Sequence, residues 1–388
     1  GKWHVGNQTG HWPCDRGFDR FYGSNTSPGN YYQVNNDNYD RRLILDDEEV
    51  RPPEEWYCTD AFTDYAIEFM RDNQKTENPF FLYLAYTAPH WPLHALPADV
   101  KTYRGRYKRG WEQVRKERYE RMVDMGLVKP AWDLSPLGGR EWDSLTDEQK
   151  DEMDLKMAVY AAMIDRMDQN IGRVVRALKE MGVYENTLIL FLSDNGGCHE
   201  GGQLGFDRKK GKVGGPDSYS SYGLCWANAS NTPYRRYKSW VHEGGISTPL
   251  IAHWPGMVAK NTWSGQVGHV IDLMATCCDI AGAVYPKTYN GNDILPLQGK
   301  SLLPVLQGKQ RKGHDELFWE HQGNQAIRQG KWKLVRKHKS DWALYDLVKD
   351  RTELNDLASR YPERVASMRE KYKNWMQRCG VKPWPVKK

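Results

Sequence analysis

Residues 186–197 read NTLILFLSDNGG, and this stretch decides the fold. Its continuous apolar run, followed by polar residues and two glycines, predicts a buried strand that ends in a sharp turn. Between residues 157 and 178, just upstream, apolar residues recur at steps of three and four, and Gly182 suits a C-terminal cap. A helix, a short loop and a buried strand in this order are typical of a doubly wound parallel sheet.

Similar patterns extend this architecture through the first 310 residues. PFFLYLAY (79–86) and TPLIAHWP (248–255) predict further strands, and residues 266–283 predict another amphipathic helix. We therefore expect an α/β fold, a three-layer sandwich around a mostly parallel central sheet. From residue 311 to 388, short strand-like segments and a polar helix predict a small α+β subdomain with an antiparallel sheet.

The composition narrows the class of protein. The chain has 388 residues and a net charge of +5, with 39% apolar and 27% charged residues, which is typical of a globular protein. It contains no recognisable nucleic-acid-binding motif and no apolar stretch long enough for a membrane span. Its 7 Cys show neither CxxC nor Cys/His zinc spacing.

The polar residues after the decisive strand are candidate metal ligands. Asp194 and Asn195 lie at its carboxyl end, where ligands usually bind in such sheets. Their oxygens suit Ca²⁺, or Mg²⁺, better than zinc. The alternative is an Asx-type turn that caps the strand, and two ligands do not fill a calcium shell.

Two other segments carry candidate groups for an anion. YTAPHWPLHA places His90 between two prolines, and this is a suitable position for a proton donor. The alternative is that His90 is simply packed against its neighbours. His94, in the same segment, is assigned to packing. A later loop gathers Arg235, Arg236 and Lys238, which could neutralise a tetrahedral oxyanion or form a solvated face.

The order of these motifs along the chain is more specific than any one of them. GKWHVG (1–6) is followed by APHWP, then SDNGG, then NTPYRRYKSWVHEGG. In this order, over essentially its whole length, the chain resembles the sulfatase family of the alkaline-phosphatase-like superfamily. That resemblance implies hydrolysis of a sulfate ester, with a sulfated small molecule or glycan as the substrate.

The resemblance also implies a role for each matching position. Lys2 would contact the sulfate and the nucleophile, and His4 would orient a hydrated aldehyde. His90 would bind sulfate and protonate the leaving oxygen, and Lys238 would be a second sulfate-binding lysine. Asp194 and Asn195 would bind the divalent cation, usually Ca²⁺.

A carbohydrate is the preferred substrate class, because aromatic side chains often line sugar sites. Trp91 and His321 are predicted to contact the substrate in a polar aromatic rim with Trp12 and Trp111. Arg235 is predicted to meet further anionic groups on the substrate.

Sulfatases of this type attack with a formylglycine made from the Cys or Ser of C/S-x-P-x-R, and these 388 residues contain no such motif. In WPCDRG, for example, the proline precedes Cys14. We expect the nucleophile and the remaining metal ligands to be encoded upstream of Gly1, and the chain to be inactive without them. The resemblance also implies a periplasmic or extracellular location.

Two alternatives stay open at this point. One is a phosphoesterase or phosphonate hydrolase on the same scaffold, which would be distinguished by faster cleavage of a phosphate ester. The other is a non-catalytic relative that binds sulfated glycans, which would lack C/S-x-P-x-R in its upstream sequence.

Overall fold

The computed structural model describes residues 1–27, 29–34, 41–76 and 78–385. They divide into two compact units, of which the first contains Gly1–Val183 and Gly196–Lys238, and the second contains Tyr184–Asn195 and Ser239–Lys388. Helices and strands are mixed in both units, in agreement with an α/β fold. A domain boundary at residue 310 stays a prediction. No helix in the described ranges combines the length and the apolar character that crossing a membrane requires.

The α-helices in chain order are α1 (Cys58–Gln74), α2 (Pro97–Tyr103), α3 (Gly110–Asp124), α4 (Asp147–Glu180), α5 (Gly223–Ser230), α6 (Glu243–Ile246), α7 (Asp272–Ala281), α8 (Leu303–Leu306) and α9 (Pro362–Arg378). The strands are β1 (Tyr22–Ser24), β2 (Leu43–Leu45), β3 (Glu48–Val50), β4 (Ile189–Leu192), β5 (Asp207–Lys210), β6 (Ser218–Ser220), β7 (Leu250–His253), β8 (Thr288–Tyr289), β9 (Asn292–Asp293), β10 (Leu317–His321), β11 (Asn324–Gln329), β12 (Trp332–Arg336) and β13 (Ala343–Asp346).

The long helix α4 forms much of the core of the first unit. It begins ten residues before its apolar periodicity, because Thr146 and Gln149 form a reciprocal capping box at its start. Its buried face includes Met153, Val159 and Met163, and it packs against α1 and α2.

The first residues of the chain are held by backbone hydrogen bonds on two sides. The Lys2 amide donates to the Ala85 carbonyl at 2.8 Å, and the Gly1 carbonyl accepts from the Ser24 amide at 3.1 Å. The segment 79–86 is not assigned as a strand, and its Phe81 and Tyr83 side chains are exposed, so the prediction of a strand covered on both faces is wrong here.

In the second unit β4 pairs with β7, and the pairing is antiparallel, with Leu190 opposite Ala252. The described strands therefore do not form the mostly parallel sheet that the sequence predicts. Phe191 on β4 and Ile251 on β7 are exposed, in contrast to the full burial expected from their apolar runs.

The last four strands form an antiparallel sheet in the order β10-β11-β12-β13. One face packs on α9, where Ile327, Leu334 and Leu344 meet Met368 and Tyr372. Gly330 connects β11 to β12 with a φ of +57°, a value that favours glycine at this tight turn.

Candidate functional site

The centre of the site in the first unit is the pair formed by His90 and Lys238. The Nε2 atom of His90 lies 3.0 Å from Lys238 Nζ, and its Nδ1 atom lies 2.7 Å from the Trp91 carbonyl oxygen. Because a carbonyl oxygen can only accept, Nδ1 carries the hydrogen, and the Nε2 lone pair accepts from the Lys238 ammonium.

This arrangement keeps the His90 ring neutral at neutral pH. Burial and the adjacent Lys238 charge, with a smaller effect of Lys2, lower the pKa of His90 to about 4, although the Trp91 carbonyl and Glu200 act in the opposite direction. A doubly protonated pair would place two cations within hydrogen-bond distance of each other. The site therefore holds positive charge on its lysines, and Lys238 donates a hydrogen bond to the unprotonated Nε2 of His90.

Asn231 explains part of the spacing in NTPYRRYK. Its side-chain oxygen accepts from the Gly197 amide at 2.9 Å, and its side-chain nitrogen donates to the Arg236 carbonyl at 2.9 Å. The Lys238 amide in turn donates to the Gly197 carbonyl at 3.1 Å. Asn231 thus fastens the lysine loop to the glycine turn that follows SDN.

Sequence reasoning missed a carboxylate in this site. Glu200 Oε1 lies 3.4 Å from Lys238 Nζ, and Glu200 Oε2 accepts from Trp91 Nε1 at 2.6 Å. Burial raises the pKa of Glu200, but Lys238 and the Trp91 N–H outweigh it, so the net pKa is lowered and the carboxylate stays charged. Cys198 Sγ is a second acceptor, 3.2 Å from Trp91 Nε1. Cys198 and Glu200 closely follow SDNGG in the sequence, and this position is the signal that could have pointed to them.

Lys2 and His4 belong to the same unit. Lys2 is near enough to His90 to lower its pKa, and its backbone is fixed between Ser24 and Ala85. His4 is exposed and has a φ of +58°, an uncommon conformation for a residue other than glycine.

The remaining predicted residues lie in the second unit. Asp194 is exposed just after β4, and the Ser193 hydroxyl donates to the Asn195 carbonyl at 2.9 Å to shape the turn. Across the described residues, no group of three or more His, Cys, Asp or Glu side chains is arranged to hold a metal ion. Asp194 and Asn195 offer the hard oxygen donors that Ca²⁺ prefers, but only part of a shell. His321 is exposed at the end of β10.

Two tryptophans of the predicted aromatic rim are core residues. Trp111 is 0% exposed, and its ring packs edge-on against Trp142 at 4.8 Å. Trp12 is 6% exposed and donates to the Asn7 carbonyl. The prediction that these two side chains line a rim is therefore wrong, because burial keeps both from a ligand. Trp91 and Arg235 are half-buried.

Replacing Lys238 with methionine is expected to raise the pKa of His90 above its value of about 4, because the ammonium that opposes ring protonation is removed. The measurement is a pH titration of the histidine Cε1–H resonances by NMR. His94 is the internal control, since burial is the main cause that lowers its pKa to about 4. An unchanged His90 titration would contradict the assigned contact.

An α/β chain with two lysines, a neutral histidine and a carboxylate in one unit has the features of a site for an oxyanion. The Sulfatase family model matches residues 1–283, and the model described as N-sulphoglucosamine sulphohydrolase, C-terminal, matches residues 235–379. The chain belongs to the sulfatase family, as its motifs predicted.

Known relatives agree with this assignment. The chain is 31% identical to an uncharacterised sulfatase of Schizosaccharomyces pombe, over 98% of this chain and 74% of the relative. It is 34% identical to an arylsulfatase of Klebsiella aerogenes, over 82% of this chain and 72% of the relative. Among solved structures, Ps i-CgsB in complex with k-i-k-neocarrahexaose has a TM-score of 0.66 and 25% identity, over 96% of this chain and 70% of that one.

Proposed function

We propose that this sulfatase removes sulfate from a sulfated carbohydrate. The observation that carries the proposal is the hydrogen bond between His90 Nε2 and Lys238 Nζ, with Lys2 close enough to act on the same ring. The C-terminal family match to a sulphoglucosamine sulphohydrolase and the neocarrahexaose complex of a similar structure support a sugar as the carrier of the ester.

Binding of the ester and protonation of its leaving oxygen each have a candidate residue in this chain. A sulfate ester is anionic, so Lys2 and Lys238 bind and orient its oxygens. His90 Nε2 carries no proton in the free site. A bound anion offsets the lysine charge and favours uptake of a proton from solvent at Nε2, and the charged ring would then protonate the leaving alkoxide while Lys238 keeps its own charge. His4 would orient a hydrated aldehyde, and Trp91, Arg235 and His321 are the candidate residues for contact with the sugar.

Sulfatases generally use a divalent cation and a formylglycine. Asp194 and Asn195 would hold Ca²⁺ or Mg²⁺, and the donor types present here fit such an ion. When bound, such an ion supplies positive charge that can stabilise an oxyanion. No C/S-x-P-x-R occurs within the 388 residues, so no residue of this chain is assigned as the nucleophile.

The remaining features of the proposal follow the family. We infer a periplasmic or extracellular enzyme whose catalytic domain includes residues 1–310. Residues 311–388 would form a separate α+β subdomain.

The gene product that contains these residues is expected to cleave 4-nitrophenyl sulfate at least about a hundredfold faster than 4-nitrophenyl phosphate, judged by kcat/KM. The charged Glu200 carboxylate beside Lys238 offsets part of the charge of the two lysines, so the site matches a singly charged ester better than a doubly charged one. Release of nitrophenolate is the readout, with heat-denatured enzyme as the blank. Equal or faster phosphate cleavage would overturn the proposal.

A further inference from the structure

Trp91 belongs to a cluster of aromatic and cationic side chains in the first unit. The rings of Phe206 and Tyr219 contact Trp91 edge-on, at centroid distances of 5.3 and 5.7 Å. Arg208 lies over the same rings. We propose that this cluster, Trp91–Phe206–Tyr219–Arg208, is a second anion subsite that binds a further sulfate or carboxylate of the sugar substrate. The inference rests on the proposed function and names its substrate class, a sugar with more than one anionic group.

The guanidinium of Arg208 is positioned by aromatic stacking. Its central carbon lies 4.2 Å from the Phe206 ring centroid, 5.9 Å from Tyr219 and 6.0 Å from Trp91. These contacts restrain the guanidinium of an exposed side chain, and a guanidinium can make a bidentate contact with an oxyanion. A restrained cation loses little conformational entropy when it binds an anion.

The charge of Arg208 is not neutralised by its neighbour in the sequence. The Asp207 carboxylate lies 2.5 Å from the buried Lys156 ammonium, so Asp207 pairs with Lys156 and not with Arg208. Among the described carboxylates, none pairs with Arg208, whose side chain is exposed. An exposed arginine held in place without a carboxylate partner is suited to an anionic ligand.

The subsite is fixed relative to His90 by the β5–β6 hairpin. The Leu93 amide donates to the Ser220 carbonyl at 2.9 Å, and the Ala95 amide donates to the Gly214 carbonyl at 3.1 Å. The His94 ring bonds the Ser218 carbonyl at 2.9 Å. The Trp91 ring lies 4.9 Å from the His90 ring, so one indole separates the sulfate-binding pair from the guanidinium.

This geometry selects a sugar rather than a simple aryl ester. Half-buried Trp91 and Tyr219 present apolar ring surface of the kind on which the C–H face of a sugar packs. With one sulfate at His90 and Lys238, a second anionic substituent on the same or the next sugar can reach Arg208. A ligand with a single sulfate does not use this contact.

Isothermal titration calorimetry on the full chain tests the proposal with three disaccharides of one backbone. The first carries one sulfate, the second carries two, and the third carries one sulfate and one uronate carboxylate. Arg208→Gln is expected to weaken binding of the second or third by about tenfold and to leave the first unchanged. Lys209→Gln, which removes an exposed charge from the same strand, is the matched control and should change none.

Three results would overturn the subsite. They are an equal loss for all three ligands in Arg208→Gln, an equal loss in Lys209→Gln, or no tighter wild-type binding of the doubly charged ligands than of the singly charged one. If Arg208→Gln weakens binding of the second ligand, Arg208 recognises a sulfate. If it weakens binding of the third, Arg208 recognises a carboxylate. Lys238→Ala tests the sulfate site at His90 separately from the Arg208 subsite. Unchanged affinities in Lys238→Ala would contradict the sulfate site. The Arg208→Gln result would still decide the subsite.

Discussion

Replacing Lys238 with alanine is expected to lower kcat/KM for 4-nitrophenyl sulfate by about 10²–10³-fold, because one of the charges that stabilises the sulfate oxygens in the transition state is lost. The same change removes the proton donor to His90 Nε2, which lies 3.0 Å from Nζ. His90→Ala should produce a loss of similar size. Since the two side chains act as one unit, the double variant should be little worse than either single one.

Lys209→Ala is the matched control for this experiment, since it removes an exposed lysine of the same unit and should leave kcat/KM within about twofold of the wild type. Circular dichroism of each variant checks that the fold is retained. Rates near normal in both Lys238→Ala and His90→Ala would refute the site. Fully additive losses would show that the two residues act independently.

The sequence predicted the central pair of the site but not its surroundings. His90 and Lys238 belong to recognisable motifs, and the structure brings them into contact although 148 positions separate them. Glu200 follows SDNGG closely in the sequence, but its contacts depend on the direction of its side chain toward Trp91 and Lys238. Arg208 was equally hidden, because stacking on three rings is a property of the folded hairpin and not of residue spacing.

Secondary structure followed from the sequence better than strand pairing did. The apolar period between residues 157 and 178 predicted most of α4, since a helix is stabilised by neighbours in the chain. The pairing of β4 with β7 joins residues some sixty positions apart, and an apolar run does not encode its direction. Trp111 shows the same limit, because composition alone does not separate a core tryptophan from one that lines a cleft.

Lys333 on β12 is a buried cation of the second unit. Its side chain is 0% exposed, and its Nζ atom lies 2.8 Å from Glu243 Oε1 and 2.9 Å from Glu353 Oε1. Burial raises the pKa of Glu243, but Lys333 and Arg351 outweigh it and lower the net pKa. The Glu353 carboxyl is also fully buried, and its pKa is raised, chiefly by burial. Lys333 thus contacts two buried carboxyl groups, and Arg351 adds positive charge at Glu243.

Lys333→Met should lower the free energy of opening this sheet by about 3–5 kcal/mol, because the cation is removed and the buried carboxylates stay. Hydrogen exchange of the β11 and β12 amides in the full chain measures it, since two compact units make a single unfolding free energy ill-defined. Lys331→Met is the matched control. That lysine pairs with Asp346 at 2.8 Å but is half exposed, so its loss should cost less than about 1 kcal/mol.

The pH dependence separates lost charge compensation from lost packing. In Lys333→Met the buried carboxyl groups would have pKa values above those of the unfolded chain, so the folded state would bind more protons than the unfolded state. The deficit should therefore be smallest below the unfolded pKa of glutamate and should grow as pH rises through the folded pKa values. Adding Glu353→Gln should recover part of the loss at neutral pH. A deficit that is independent of pH and unaffected by Glu353→Gln would show that Lys333 contributes through the packing of its aliphatic chain alone.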